Sequence, residues 1–253
     1  MVHRGIISFM KKVKIVAIVM VMTLACTLTA CGNDKNKSNN KSKIETSVLE
    51  NADPTEYTIE DDVYNVKNVV IKHPRLKYSD DEKTNVISSF LENGGVIATK
   101  YYDKEDQDNL NMNIKYKIKR KNKNIISVVY EGTAYLEGAA YANNYLYSVN
   151  VDLKNKQILK LSDLADVNKE LAEKIKEGTV SEEQKEAFDT LTSEDILNKI
   201  SVCDEVDNVK EGQSYSYLTE DSLGIIIPVE HVLGDYIQIE IPLSEVQLKM
   251  EIE

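Results

Sequence analysis

From Met112 to Lys119 apolar and polar residues take strict turns, Met112, Ile114, Tyr116 and Ile118 alternating with Asn113, Lys115, Lys117 and Lys119. Successive side chains of a strand point to opposite faces, so this pattern makes one face for burial and one charged face for water. At helical spacing the same residues would scatter around the cylinder and bury nothing cleanly. The segment therefore commits the chain to a sheet covered on one side, and its neighbours continue it. Lys121-Asn122-Lys123-Asn124 reads as a turn into a second strand over 125–135. Residues 137–144 read as a loop, after which Tyr145, Tyr147, Val149 and Val151 alternate again, and a turn over 152–156 leads to Gln157-Ile158-Leu159. Upstream, residues 64–72 read as one strand that Pro74 ends. Ser79-Asp80-Asp81-Glu82 has the order of a capping box, with Ser79 as the cap. Val86, Ile87, Phe90 and Leu91 then fall on one helical face, and Gly94-Gly95 either stops that helix or lets it run weakly to Tyr102.

The period changes beyond residue 160. Ser162 can cap a short turn at Leu164, and Leu164, Val167, Leu171 and Ile175 lie along one helical face that ends at Gly178. Ser181-Glu182-Glu183 opens a second helix with an acidic first turn, which complements the helix dipole, and turns Ala187, Phe188 and Leu191 inward. Ser193-Glu194-Asp195 caps a third through Ile196, Leu197 and Ile200. Strand patterns return at 214–219, 223–228 and 236–242, with a last turn at Ser244. The expectation is an α+β fold, an antiparallel β-sheet meander with packed helices, in two fused halves over 57–160 and 161–253.

The first thirty residues follow different rules. Arg4, Lys11, Lys12 and Lys14 precede a run over 15–30 that is apolar apart from Thr23, Thr27 and Thr29, and no acidic residue occurs before Asp34. This is the order of a secretory signal peptide. It closes on Leu28-Thr29-Ala30-Cys31-Gly32, which resembles the lipobox of bacterial lipoproteins. The resemblance implies removal of residues 1–30 and diacylglyceryl and N-acyl groups on Cys31, holding the chain on the outer face of the cytoplasmic membrane. An uncleaved anchor or an ordinary signal peptide are the alternatives; the apolar run is short for a span, which takes about 20 residues. Two acyl chains give the stable anchoring that one cannot. Residues 31–56 then form a lipidated spacer, since 32–43 reads GNDKNKSNNKSK and has no apolar residue to offset ordering entropy.

Losing residues 1–30 removes four positive charges and no negative ones, taking the net charge from −11 to −15. So acidic a body argues against a nucleic-acid partner and suits a cationic one, or loosely held calcium. Cys26 leaves with the signal and Cys31 carries lipid, so Cys203 stands alone and the exported body must live on its core without a disulfide.

Several stretches in one order carry a family resemblance. They are Ile125-Ile126-Ser127-Val128-Val129-Tyr130-Glu131-Gly132, Gly138-Ala139-Ala140-Tyr141-Ala142-Asn143-Asn144, Tyr147-Ser148-Val149-Asn150-Val151-Asp152-Leu153, and Ile158-Leu159-Lys160-Leu161-Ser162-Asp163-Leu164. The tail adds Tyr217-Leu218-Thr219-Glu220-Asp221-Ser222-Leu223-Gly224-Ile225-Ile226-Ile227 and Ile239-Glu240-Ile241-Pro242-Leu243-Ser244-Glu245-Val246. Together, over most of 60–247, they resemble the pair of extracytoplasmic domains shared by PdaC-type peptidoglycan deacetylases, as an accessory region, and RsiV-type lysozyme-sensing anti-sigma factors. The resemblance implies a PdaC-like first half, an RsiV-like second half, and peptidoglycan or lysozyme as ligand. Tyr141 and Ala142 stand where the relatives often carry His and Pro, and 229–235 is compressed against their usual approach to the last strand. Neither a cytoplasmic anti-sigma segment nor a deacetylase catalytic domain is expected beside the pair.

Catalytic chemistry finds little to work with. A metal hydrolase needs His and carboxylates converging on one ion, yet the three His, His3, His73 and His231, form no HxxH or HExxH pair. His73, before Pro74, reads as a surface residue, and His231 as a loop residue near Glu230. Cys203 has no basic neighbour to make it a thiolate and reads as an inert, buried or half-buried thiol. Paired carboxylates could hydrolyse wall glycan, which is the alternative function, but Asp80-Asp81 and Glu182-Glu183 are explained by helix first turns. Asp103, Glu105, Asp106 and Asp108 could hold calcium, though without the order of an EF-hand. No cofactor is expected. The candidate ligand contacts are Tyr135, Tyr141, Asn143, Asn144 and Tyr145, because Tyr and Asn make contact area at low entropic cost. The expected function is a non-catalytic binding module for an envelope or host ligand.

Overall fold

A computed structural model describes residues 56–252 of the chain. The expectations for residues 1–30, for Cys31 and for the spacer up to residue 55 lie outside the described residues.

A six-stranded sheet is built in chain order from β1 (Thr58–Val66), β2 (Val69–Lys77), β3 (Leu110–Lys121), β4 (Ile125–Leu136), β5 (Asn143–Asp152) and β6 (Gln157–Leu159). All neighbours are antiparallel except β2 and β3, which run parallel over Val69–Ile71 because α1 (Asp81–Gly95) carries the chain back across the sheet. Residues 64–72 are therefore not one strand. Lys67 takes φ 54 and turns β1 into β2, with Val66 opposite Val69. A lysine in the left-handed region gives no glycine signal, which is why the turn is silent in the sequence. Pro74 does not end β2 but lies buried within it. Pairing with β3 stops at Ile71, so on that side there is no ladder for a missing N–H to break.

The cap of α1 is Asp80 and not Ser79: its carboxylate accepts from the backbone N–H groups of Glu82 and Lys83. Ile87 and Leu91 are fully buried against the sheet. Gly94 is required by that packing, since a Cβ there would lie 2.9 Å from Val149 Cβ on β5. The α-helix ends at Gly95 and tightens into a 3-10 helix over Val96–Tyr101. Two strand tyrosines finish its end: Tyr130 Oη donates to the Leu91 carbonyl at 2.6 Å and Tyr147 Oη to the Gly95 carbonyl. Both carbonyls lie in the last turns of the helix, and a buried hydroxyl that finds such an acceptor is a physical reason for tyrosine here in place of phenylalanine.

The second half holds four short α-helices, α2 (Leu161–Leu164), α3 (Lys169–Lys176), α4 (Lys185–Asp189) and α5 (Ser193–Ile200), then an antiparallel sheet of β7 (Tyr215–Leu218), β8 (Ser222–Pro228) and β9 (Tyr236–Pro242). The face from Leu164 to Ile175 is broken, because Ala165 is extended and Asn168 caps α3 afresh through the Leu171 N–H. α5 starts from a capping box of Thr192 with Asp195, one residue before the expected Ser193.

The small sheet is covered on both faces. Tyr215, Tyr217 and Ile226 join the core that α1 and the large sheet enclose, whereas Leu218, Leu223, Ile225 and Ile227 join the core of the short helices. A strand buried on both sides reads as an unbroken apolar run, as 223–227 does. The edge of β7 is closed by side chains. Ser148 Oγ and Asn150 Nδ2 donate to the Ser216 carbonyl, and the Leu218 N–H donates to Ser127 Oγ at 2.9 Å. Asp204, buried and at φ 61, accepts from Ser216 N, Ser216 Oγ and Leu161 N. Buried Arg120 donates to the carbonyls of Thr219, Glu220 and Ile252, and Asn122 Nδ2 also donates to Ile252. The end of the described chain is thereby fastened to β3.

Candidate functional site

Three connections converge at one place: residues 137–142 between β4 and β5, 229–235 between β8 and β9, and 211–213 ahead of β7. Between them lies an open groove of about 510 Å³, within the usual range for small-ligand sites. Tyr141, Asn143, Asn144 and Tyr145, four of the residues singled out from the sequence, line it. Tyr135 does not: it sits on β4, 38% exposed, outside the lining. Tyr147 follows on β5, and Tyr101, Tyr215 and Tyr236 arrive from other elements, so six of the fourteen tyrosines meet here. Sequence reading does not single out these four: Tyr147 alternates with apolar residues as a packing position, and Tyr101, Tyr215 and Tyr236 lie far from the loop along the chain. Tyr147, Tyr215 and Tyr236 stand in strand patterns, which signal packing in a sheet and not a site.

The rings are held by one another. Tyr101 and Tyr145 stack with centroids 5.9 Å apart, and Tyr147 tilts on Tyr215 at 6.0 Å. The hydroxyls pair, Tyr101 with Tyr215 at 2.5 Å and Tyr102 with Tyr145 at 2.8 Å. Burial first, opposed by the Tyr215 hydrogen bond and aided by the charge of Glu211, pushes the Tyr101 phenol up to about 12. Burial likewise raises Tyr102, Tyr145 and Tyr215. These groups stay protonated at neutral pH, so they serve as hydrogen-bonding hydroxyls and ring faces and not as bases.

One side of the groove carries a flat aromatic platform. Tyr141 and His231 stack face to face, centroids 3.9 Å apart and planes within 4°. His231, expected as an unremarkable loop residue, is thus part of the groove wall. Its Nδ1 lies 2.9 Å from Asp235 Oδ1, while Asp235 Oδ2 accepts from both the backbone N–H and the Nδ2 of Asn144. Asp235 stands at φ 72, a conformation Asp tolerates better than most residues. The carboxylate therefore ties loop 229–235 to the start of β5, and the first half to the second. The signal was present as Gly234-Asp235, a turn dipeptide, but a turn does not say which side chain it will aim across a groove.

An imidazole oriented by a carboxylate can accept a proton, yet nucleophilic catalysis also needs a hydroxyl or thiol beside it. No Ser, Thr or Cys occurs among the described residues that line the groove. Cys203 belongs to the second core, and burial, with Asp204 next to it, raises its thiol well above the ordinary range. His73 corrects the sequence expectation: it is 4% exposed, and its Nδ1 has no hydrogen-bond partner among the described residues. No group of three or more His, Cys, Asp or Glu placed to hold a metal occurs among the described residues, the 103–108 run included, where Asp108 pairs with Lys67. Nor is any described helix long and apolar enough to cross a membrane.

An α+β body of two sheets, with a tyrosine-lined groove at the junction of its halves, is the class this chain presents. No family model matches it, and no curated protein does. Among solved structures it is similar to a DUF3298 family member from Bacteroides fragilis, with 18% identity over 78% of this chain and 96% of that one and a TM-score of 0.49. It is also similar to a DUF3298 family protein from Pseudomonas aeruginosa, with 13% identity over 79% and 97% of the two chains and a TM-score of 0.41.

Proposed function

We propose that the protein is a lipid-anchored binding module on the outer face of the cytoplasmic membrane, and that its groove takes a glycan of the cell envelope, peptidoglycan first, without transforming it. The observation that carries this reading is the platform of Tyr141 and His231 beside paired tyrosines, with side-chain amides between them. Sugar rings offer C–H faces to aromatic planes and hydroxyls to amides, and the cavity has the size for more than one ring. The signal-like start, the lipobox-like Cys31 and the PdaC- and RsiV-like order of motifs support the placement outside the cell. The absence of a nucleophile beside His231, among the described lining residues, supports binding without turnover.

The test is co-sedimentation of the full-length protein, in detergent, with purified peptidoglycan. Wild type is retained, and Tyr141→Ala, which alters a side chain 55% exposed, weakens retention by about three- to tenfold, the worth of one aromatic contact. Undiminished retention of the variant removes the groove from the reading, and release of soluble sugar from labelled wall favours the carboxylate hydrolase instead. In cells, palmitate labels the wild type and not Cys31→Ala; equal labelling of both ends the anchor assignment.

A second reading rests on charge. At −15 after loss of residues 1–30, the body would attract a cationic protein such as lysozyme, with association that weakens as salt rises. Lysozyme retained at low salt by wild type and by Tyr141→Ala alike favours this partner over the glycan.

A further inference from the structure

The groove has a charge that the rest of the surface does not impose on it. The chain carries 31 Lys and Arg, yet none lines the groove, whereas Glu211 and Asp235 both do. Asp235 is committed to His231 and Asn144. Glu211 is exposed and has no ion-pair partner among the described residues, and its charge is felt by the phenols of Tyr101, Tyr102 and Tyr145. Because the Tyr101 and Tyr145 hydroxyls are consumed by Tyr215 and Tyr102, their rings are held in fixed planes. Ring faces carry negative potential, so fixed rings next to an unpaired carboxylate form a seat for a compact cation. A lone ammonium fills little of about 510 Å³; the remaining space and the flat Tyr141–His231 platform suit the ring that bears it.

We infer that the groove discriminates among envelope glycans by their nitrogen, selecting sugars whose amine is free and protonated over N-acetylated ones, with Glu211 as counter-charge and Tyr101 and Tyr145 as the π surface. This rests on the glycan-binding reading and adds the chemical group that is read. An acetyl group removes the positive charge and leaves Glu211 desolvated against a neutral amide, which is the source of the selectivity.

The test titrates full-length protein in detergent with three probes, a glucosamine hexamer, an N-acetylglucosamine hexamer and a lysine hexamer, each at low and high salt. The glucosamine hexamer binds about fivefold or more tightly than its acetylated form, as one ion pair with a cation–π contact allows, and the gap narrows at high salt. Glu211→Gln, a change at an exposed side chain, brings the two affinities within about twofold. Equal affinity of wild type for both sugars overturns the inference and leaves glycan binding standing. Failure of both sugars to bind overturns glycan binding as well. A lysine hexamer bound as tightly as the glucosamine hexamer also overturns the inference, because the amine and not the sugar is then what is held.

Discussion

Among the described residues Asp204 has no cationic partner. Its carboxylate accepts from two backbone N–H groups and a serine hydroxyl inside the protein, and burial outweighs those bonds, raising its pKa from 3.8 to about 6. The folded state thus holds this proton more tightly than the unfolded chain does. Its contribution to stability is fully present below about pH 4 and is lost as pH rises through about 6, a change of about 3 kcal/mol. Asp204→Asn keeps one acceptor and one donor without a charge. Urea unfolding should therefore show the stability of wild type minus that of the variant falling by about that amount between pH 4 and pH 7; a difference flat with pH shows that the carboxylate is not titrating in this window. Nothing in Val202-Cys203-Asp204 announces this arrangement. Single residues were legible where chemistry is local, as with the buried Cys203, and illegible where a partner comes from across the fold, as with Leu161 on Asp204, Asp235 on Asn144, or Tyr215 on Tyr101.

At the scale of elements, periodicity found β3, β4, β5 and all three strands of the small sheet, since each turns a defined face to a core. It failed where a boundary depends on one backbone torsion. Lys67 at φ 54 splits what reads as a single strand, and extended Ala165 splits what reads as a single helical face. The four recognised groove residues were visible because they share one loop and one strand start, whereas Tyr101, Tyr215 and Tyr236 join them only when β7, β9 and the segment after α1 are packed on β5. A close contact inside the small sheet gives the element-scale prediction. A Cβ on Gly224 of β8 would lie 2.0 Å from Cζ of Tyr217 on β7. The ring cannot step aside, because it is buried and its hydroxyl donates to Glu240 Oε1 and accepts from Gln238 Nε2, both at 2.6 Å. Gly224→Ala should cost about 3 kcal/mol, at the upper end for overpacking, read from urea midpoints. The same change in a Tyr217→Val background should cost less than half as much, and an equal cost in both backgrounds would show that the ring is not the obstacle.

For the molecule as a whole, the α+β class was legible, because the spacing of apolar residues changes from strand to helix period near residue 160. The way the halves are joined was not, since it lies in contacts between residues about a hundred positions apart. Ser127 and Asn150 satisfy the backbone of β7, and Arg120 holds the carbonyls of Thr219, Glu220 and Ile252. Asp235, from the second half, sets the start of β5 in the first.

The small sheet has no side to spare: Ile226 looks one way and Ile225 and Ile227 the other, each into a different apolar interior. Peeling away either partner would leave a wet hydrocarbon face with nothing to shelter it, so the two halves have to melt together. A groove whose walls come from both of them inherits that all-or-none character. It is whole whenever the protein is folded, and it cannot be loosened at the rim without drawing on the stability of the entire body.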